Sequence, residues 1–543
     1  MMLAVTRALR APRLVALGVF VVLACVHTWP LATSPAHLSR TDNGDALLNM
    51  WATAWVAHQL PRDPVHLFDA NIFYPERLTL AYSEAMIVQG ALALPIIAAG
   101  GSPVLAFNLV LLAGLALTGW AFFLLLTRWT GSLAAGYTAG SLAAFNAHVF
   151  VRLPHLQTLH VEFIALILFA VDRLIVSKRL RDAIWLGVGF ALQGLTSIYL
   201  LVFSAWMLAF AVLSRAREWL RRDPLKAIGG FAVAAGVAAL LLGPYLLAYY
   251  WMHRLTGFER NITHAQRSAA TWYDYLSTVS RLHYPLWSHR FVGRSIAPAF
   301  PGVVALVLTG LALSWPETRR DSRVRMCAVA AIGCVALSML PRTDIFPLLY
   351  RMVPGFMAIR IVARIGQIVL LMLAVIAGFG VAGLHRRFGT ARAWPVVAFA
   401  ICGLVNLEAL HATRFRYFTE IPPIYDQLAS VRHAVVIELP FHPPDVFFAN
   451  AGYMLNSTRH WHPMLNGYSG FQPPSYVETF NAIQGFPNAA ALTALHDRGV
   501  THIVVHADGF RGAFGVERFE SIAQNPALMR LGEDGDIQLY KLR

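Results

Sequence analysis

The sequence predicts an α-helical polytopic membrane protein with a small C-terminal α/β domain. Of the 543 residues, 57% are hydrophobic and only 13% are charged. The mean hydropathy is +0.54, and apolar runs long enough to cross a ~30 Å hydrocarbon core recur along the chain. We therefore expect about eleven membrane-spanning helices in residues 1–412 and a soluble domain in residues 413–543, where apolar stretches become short.

The predicted spans follow apolar runs of roughly 17 to 25 residues. Residues 83–99 are apolar as well, but a span there would reverse the orientation of every later loop, so we expect a re-entrant or interfacial helix. The predicted spans are 14–33, 103–127, 131–150, 158–177, 182–199, 200–214, 227–250, 297–315, 324–341, 365–384 and 394–412.

Basic residues cluster in alternate loops, which the positive-inside rule places in the cytoplasm together with the N-terminus. The longer loops 34–102, 251–296 and 342–364 and the C-terminal domain are then extracytoplasmic, in a multi-pass protein of the cytoplasmic (inner) membrane. The net charge of +15 does not indicate a nucleic-acid partner, because the basic residues lie between apolar runs and do not form a basic patch with interleaved aromatic residues. The clusters include Arg7, Arg10, Arg13, Lys178, Arg179, Arg181, Arg319, Arg320, Arg323, Arg325, Arg386, Arg387 and Arg392.

The C-terminal region alternates short strand-like and helix-like segments. Residues 433–440, 501–508 and 537–542 have the composition of strands, and residues 488–499 form a helical pattern that ends at Gly499. This order predicts a small α/β domain.

Two carboxylates follow the first predicted span in the stretch RTDNGDALLNMW, residues 40–51. DNG indicates a turn, and an amphipathic helix follows in which Asp45 and Asn49 share a face. We expect this helix to lie at the membrane interface with Trp51 and Trp55 at headgroup depth. Asp42 or Asp45 could simply cap the helix, which carboxylates do well at a helix N-terminus.

This layout resembles that of the GT-C superfamily of membrane glycosyltransferases. The shared parts are a first span, a large outer loop with the acidic motif GDALLNMW, interfacial helices in that loop, further spans and an outer C-terminal domain. The resemblance implies transfer of a sugar from a polyprenyl-phosphate donor, and Asp45 matches the first acid of the superfamily's Asp-Glu or Asp-Asp pair. Here Ala46 follows, and the second carboxylate is Asp42, so which acid acts stays open.

The absence of a second acid directly after Asp45 also affects the prediction of a metal site. Two carboxylates flanking a turn form a poor cation site without further oxygen ligands, and no Cys or His spacing indicates a zinc site. We therefore assign no metal ligand and no certain cofactor, and leave Mg or Mn as an open alternative.

A polyprenyl-phosphate leaving group needs no strong general acid. The reaction needs a base for the acceptor hydroxyl and positive charge for the departing phosphate, and inversion at the anomeric carbon is the expected outcome. Asp45 is our first choice as base, with Asp42, Glu84 and His155 in support. Glu84 could equally be a first-turn carboxylate of the helix in 83–99, and His155 a hydrogen-bonded structural residue.

Arginines on the predicted outer side are candidates to bind the phosphate. Arg360 and Arg364 are expected on one helical face before the tenth span, where basic residues are disfavoured without a local reason. The guanidinium group suits bidentate phosphate binding, and Arg152 is a third candidate. The alternative is that Arg360 and Arg364 reach the interface or pair with an acid such as Asp344.

Other polar and aromatic side chains on the same predicted side are candidates to bind the sugar or the acceptor. Polar side chains can form hydrogen bonds to sugar hydroxyls, and aromatic rings can stack on sugar faces. Aromatic belts at the membrane interface and structural hydrogen bonds explain several of these residues equally well. The candidates are Asn49, Gln157, Glu162, Tyr199, Trp272 and Tyr468.

The expected partners are therefore the lipid-linked donor, a glycan, lipid or protein acceptor, and membrane lipids. Two other functions stay open from the sequence: a transporter or flippase of a lipid-linked sugar, and a non-catalytic membrane scaffold. The concentration of polar groups at one face favours the transferase, because transporters usually place them in broken helices at the midplane.

Overall fold

The structure is a computed structural model that describes residues 2–40, 44–221, 223–259, 261–352, 359–418 and 420–543, with side chains from residue 12 onward. The described residues are mostly helical. In chain order the first helices are α1 (Met2–His27), α2 (Gly44–Gln59), α3 (Ile87–Ala98), α4 (Pro103–Thr130), α5 (Leu133–Ala144), α6 (Ala147–Val151), α7 (Glu162–Ser177), α8 (Leu180–Thr196), α9 (Ile198–Ser214), α10 (Ala216–Arg221), α11 (Pro224–Thr256), α12 (Ile262–Arg267), α13 (Trp272–Tyr275) and α14 (His289–Val292).

The later helices are shorter on average, and strands appear among them. The helices are α15 (Val303–Ser314), α16 (Pro316–Arg319), α17 (Ser322–Met339), α18 (Phe346–Met352), α19 (Gly366–Phe388), α20 (Trp394–Glu408), α21 (Ile424–Ala429), α22 (Ala451–Ser457), α23 (Pro474–Ala482), α24 (Ala489–Asp497), α25 (Ala507–Phe514) and α26 (Val516–Gln524). The strands are β1 (Leu38–Ser39), β2 (Arg416–Tyr417), β3 (Val436–Leu439), β4 (His502–His506), β5 (Leu528–Asp534) and β6 (Ile537–Leu542).

Every apolar run that the sequence assigns to a span overlaps one of these helices. Within the described part of the chain, four helices are long and apolar enough to cross a membrane, namely Pro103–Thr130, Pro224–Thr256, Ser322–Arg342 and Val362–Phe388. Shorter apolar helices accompany them, including Val303–Ser314. The apolar helices agree with a multi-pass membrane protein, and the number of spans and their orientation stay predictions.

The chain divides into two compact units. The first comprises residues 1–33, 110–244 and 259–414, and the second comprises residues 34–109, 245–258 and 415–543. The boundary between residues 412 and 413, which the sequence suggests for a membrane domain and a soluble domain, stays a prediction.

The first unit is a helical assembly around α19. This helix is almost entirely buried and packs against α5, α15 and α17, while α7, α8 and α9 pack against one another. Gly380 of α19 faces the carbonyl oxygen of Leu308 in α15 so closely that a Cβ would lie 2.2 Å from it. Small residues let apolar helices approach in this way.

The second unit combines α2 and α3 with the C-terminal sheet. Strands run in the order β3-β4-β6-β5, with β3 and β4 parallel and the other pairs antiparallel. Three of these strands and α24 are confirmed sequence predictions, and Gly499, with φ +77°, follows the end of α24. β5 was not predicted.

Candidate functional site

Asp45 lies in the first turn of α2, in the second unit. The hydroxyl of Tyr468 donates a hydrogen bond to Oδ1 of Asp45 at 2.6 Å. Asn49, one turn further on, donates from Nδ2 to the backbone carbonyl oxygen of Asp45, also at 2.6 Å. The structure thus brings three predicted site residues together, and it fixes both the carboxylate and the backbone of Asp45.

Local packing explains how Tyr468 reaches the start of α2. The helix α22 packs against α2, and the backbone N–H of Tyr468 donates to Sδ of Met454 in α22 at 3.1 Å. The ring of Phe447 meets the Tyr468 ring edge to face, with centroids 5.2 Å apart. Gly44 leaves room for this approach, because a Cβ there would lie 2.9 Å from the carbonyl oxygen of Phe448.

The remainder of α2 is buried, which corrects one sequence prediction. Trp51 and Trp55 are 1% and 5% exposed, and their indole N–H groups donate to Oδ1 of Asn71 and to the carbonyl oxygen of Leu67. The expectation that both tryptophans lie at headgroup depth is wrong, because α2 packs against α3 and α22 and buries them in the core of the second unit.

Glu84 precedes the apolar helix of its loop. The predicted helix over 83–99 is observed as α3, which begins at Ile87 and has no acidic residue in its first turn. The residues on either side of Glu84 are fixed by Tyr249, whose hydroxyl donates to the carbonyl oxygen of Ser83 at 2.7 Å and accepts from the N–H of Ala85 at 3.2 Å. The interpretation of Glu84 as a first-turn carboxylate is therefore wrong.

Asp42, the second acid of the opening motif, lies outside the described residues. Within the described ranges, no group of three or more His, Cys, Asp and Glu side chains is arranged to hold a metal ion. Mg or Mn dependence stays an open prediction.

The arginine candidates lie in the first unit, around Tyr199 at the start of α9. The guanidinium carbon of Arg364 lies 5.2 Å from the centroid of the Tyr199 ring, a distance that gives a cation–π interaction. The Tyr199 hydroxyl oxygen accepts hydrogen bonds from the backbone N–H groups of Arg360 at 3.0 Å and Ile361 at 3.3 Å. Tyr199 therefore positions the segment that carries both arginines.

Arg360 and Arg364 do not share an α-helical face, contrary to the sequence prediction. Arg360 precedes a short 3-10 helix, Val362–Ile365, which contains Arg364, and α19 begins only at Gly366. The reason is that the backbone of Arg360 bonds to side chains instead of to a helix: its N–H donates to Tyr199, and its carbonyl oxygen accepts from the Ser268 hydroxyl.

Residues 146–163 bring further basic groups close to Arg364. His148 interacts electrostatically with Arg152, His155 and Arg364, and Arg152 also donates to the carbonyl oxygen of Ile296 at 3.3 Å. His148 is completely buried, and neither of its ring nitrogens has a hydrogen-bond partner among the described residues. Sequence reasoning missed His148, although its spacing of four from Arg152 in a helical stretch was an available signal.

Glu162 and Gln157, from the same stretch of chain, are buried. Glu162 lies in the first turn of α7, accepts from the Thr118 hydroxyl at 3.4 Å and lies 3.0 Å from Nδ1 of His160. These contacts are structural. Gln157 is 7% exposed, and its Oε1 has no hydrogen-bond partner within the described ranges.

Trp272 lies on the surface of the first unit. It is 52% exposed and forms an aromatic cluster with Tyr273, at a centroid distance of 3.8 Å, and Phe291, at 5.7 Å. Asp274 fixes the base of this cluster through a capping box with Thr271. An exposed aromatic face of this kind can stack on a sugar ring.

No protein-family profile and no curated protein matches the sequence. Among solved structures, the chain is similar to the arabinofuranosyltransferase AftD from Mycobacteria, with a TM-score of 0.57 and 14% identity over 98% of this chain. The alignment covers 40% of AftD, so the chain spans well under half the length of that protein.

More distant similarities link the chain to two other membrane proteins. They are the oligosaccharyltransferase AglB from Archaeoglobus fulgidus, at 13% identity, a TM-score of 0.45 and coverage of 91% of this chain and 69% of AglB, and ArnT from Cupriavidus metallidurans, at 12% identity, a TM-score of 0.47 and coverage of 97% of each chain. Neither alignment is close enough to carry a conclusion. The AftD similarity supports the sequence-based resemblance at the level of the fold: over 98% of its length the chain shares the fold of that arabinofuranosyltransferase.

Proposed function

We propose that this protein is a membrane glycosyltransferase that moves a sugar from a polyprenyl-phosphate donor to an acceptor on the outer face of the cytoplasmic membrane, with inversion at the anomeric carbon. The observation that carries the proposal is the oriented carboxylate of Asp45 at the start of α2, in a chain with the fold of an arabinofuranosyltransferase.

Asp45 is the proposed general base. A base must hold its proton-accepting oxygen within hydrogen-bond reach of the acceptor hydroxyl, so a carboxylate fixed in one orientation is favoured over a rotating one. The Tyr468 hydroxyl and the hydrogen bond from Asn49 to the Asp45 backbone supply that restraint. Proton removal in the transition state contributes about 10²- to 10⁴-fold to such reactions.

The arginines around Tyr199 are the proposed phosphate site. As the glycosidic C–O bond breaks, its electron pair remains on the phosphate oxygen, and the negative charge requires stabilisation. Arg364, Arg360 and Arg152 provide guanidinium groups within one unit, and Arg364 is held against the Tyr199 ring. Preorganised cations stabilise a departing phosphate without reorganising during the reaction.

Lipid extracts from cells that produce the wild-type protein or Asp45→Asn test this proposal. The wild-type protein should consume a lipid-linked sugar, and Asp45→Asn should let that sugar accumulate, which also identifies the donor. The exposed Asp445 provides a matched control, because Asp445→Asn changes the same functional group outside the proposed site.

The same experiment separates the transferase from its alternatives. A flippase would leave the chemical identity of the lipid-linked sugar unchanged and alter only its sidedness. A scaffold would give identical lipids in the wild type and in Asp45→Asn, and that result would refute the proposal.

A further inference from the structure

The first unit contains a cavity that none of the proposed catalytic residues lines. Its volume is about 290 Å³, and it lies among the C-terminal end of α4, the short helix α16, the start of α17 and the end of α19. The sequence assigns the loops at these helix ends to the cytoplasmic side. The residues with polar groups that line it are Trp129, Thr130, Glu317, Thr318, Asp321, Arg323 and Arg386.

Most of the charges that line the cavity neutralise one another. Arg323 forms a bidentate ion pair with Asp321, with distances of 2.9 Å from Nε to Oδ1 and 2.6 Å from the guanidinium to Oδ2. Glu317 pairs with Arg387, whose guanidinium also lies over the Trp315 ring. One lining cation, Arg386, lies outside these close pairs.

The guanidinium of Arg386 donates to the Thr318 hydroxyl at 3.2 Å and interacts electrostatically with Glu317, but it makes no ion pair at contact distance with any residue that the structure describes. Arg386 is exposed, so its remaining N–H groups are accessible to a ligand. A guanidinium group presents five donors in a planar fork that matches phosphate oxygens.

Trp129 adds a second unused donor. The residue is 9% exposed, and its indole N–H has no hydrogen-bond partner among the described residues. The guanidinium of Arg323 lies 5.6 Å from the centroid of the Trp129 ring and 5.4 Å from that of Phe379. Arg323, Trp129 and Phe379 all line the cavity, so aromatic surface contributes to its lining beside the polar groups.

We propose that this cavity binds a phosphate group, through Arg386 and the Thr318 hydroxyl, at the cytoplasmic ends of the helices. The volume lies just below the ~300 Å³ lower limit of typical small-molecule sites, which suits a ligand of headgroup size. The ligand is a phosphodiester headgroup of an anionic lipid or a free phosphate. Basic pockets between membrane helices on the cytoplasmic side attract anionic headgroups, because that leaflet is negatively charged. The site goes beyond the proposed transferase function.

Native mass spectrometry of the purified full chain in detergent tests the site. Phosphatidylglycerol should bind the wild-type protein more tightly than phosphatidylcholine with the same acyl chains, and Arg386→Gln should weaken phosphatidylglycerol binding about tenfold. Arg392→Gln, which removes an exposed arginine of the same basic cluster, should bind as the wild type does.

Competition between inorganic phosphate and phosphatidylglycerol shows whether the bound phosphate group belongs to a lipid or is free phosphate. If inorganic phosphate displaces phosphatidylglycerol at equal concentration, the ligand is free phosphate, and if it does not, the ligand is a lipid headgroup. If Arg386→Gln does not fold, Arg386→Lys can be tested in its place. Lysine keeps the positive charge but lacks the planar guanidinium donors, so phosphatidylglycerol binding should weaken about threefold. Unchanged binding in the folded Arg386 variant would overturn the proposal. So would a wild-type protein that prefers neither phosphatidylglycerol nor inorganic phosphate over phosphatidylcholine, whose phosphodiester is neutralised by its own choline.

Discussion

The hydroxyl of Tyr468 donates a hydrogen bond of 2.6 Å to the carboxylate of Asp45, although the two residues lie 423 positions apart in the chain. The contact joins the acidic motif that follows the first helix to the C-terminal part of the second unit. The C-terminal region thereby contributes directly to the surroundings of the proposed base. Its function in our account is to orient that base.

Removing the Tyr468 hydroxyl should impair turnover more than acceptor binding. Tyr468→Phe keeps the ring that packs against Phe447 but removes a hydrogen bond to a charged group, which contributes about 1.5–3 kcal/mol. We expect kcat for sugar transfer to fall about tenfold or more, with a smaller change in KM. The control is Tyr417→Phe, which removes the hydroxyl of an exposed tyrosine. An equal loss in both variants would contradict a positioning role for Tyr468.

Arg364 should govern the use of the lipid-linked donor. Replacing it with Gln removes both the charge and the interaction with the Tyr199 ring. We expect kcat/KM for the donor to fall about 10- to 100-fold, while Arg267→Gln, at an exposed arginine in the same unit, should leave it unchanged. Steady-state kinetics at varied donor concentration measures the effect. A loss confined to acceptor KM would argue against phosphate binding by Arg364.

The buried His460 should make the protein sensitive to acid. Burial, together with nearby His462 and His502, lowers the pKa of His460 from 6.5 to about 3. Below pH 6.5 the unfolded chain takes up a proton that folded His460 does not, so stability is complete above this pH and falls as the pH drops towards 3. At pH 5 the cost is about 2 kcal/mol.

A comparison of variants measures this contribution. His460→Asn keeps an acceptor for the N–H of His462, which donates to Nδ1 of His460 at 2.9 Å, but it cannot titrate. Its Tm should fall less than that of the wild type between pH 7.5 and pH 5, whereas His496→Asn, at an exposed histidine, should follow the wild type. If the Tm of all three proteins changed with pH in parallel, His460 would not be the source of the acid sensitivity.

The sequence predicted the elements whose signal is local. Apolar runs located the helices because lipid and core both require continuous apolar surface, and alternation with turn residues located β3, β4 and β6. β5 was missed because its residues, LMRLGED, mix apolar and charged side chains without a regular alternation, and it is defined by pairing with β6 across the turn at Gly535.

The sequence predictions that were wrong depended on tertiary contacts. Amphipathicity alone cannot distinguish a helix at a membrane interface from one packed on all sides, so Trp51 and Trp55 were placed in the wrong environment. Spacing alone suggested a helix through Arg360, where hydrogen bonds to Tyr199 and Ser268 hold the backbone in another conformation. Tyr468 was a candidate for its composition, but no local pattern could predict its contact with Asp45.

Asp45 is the proposed base in sugar transfer from a polyprenyl phosphate, and this role can be measured directly. The most direct measurement reconstitutes the purified full chain in vesicles made from the lipids of its own membrane and follows, by mass spectrometry, the release of free polyprenyl phosphate. The wild type should release it, and Asp45→Asn should do so at least about 100-fold more slowly. Equal rates of release by the wild type and by Asp45→Asn would contradict the account.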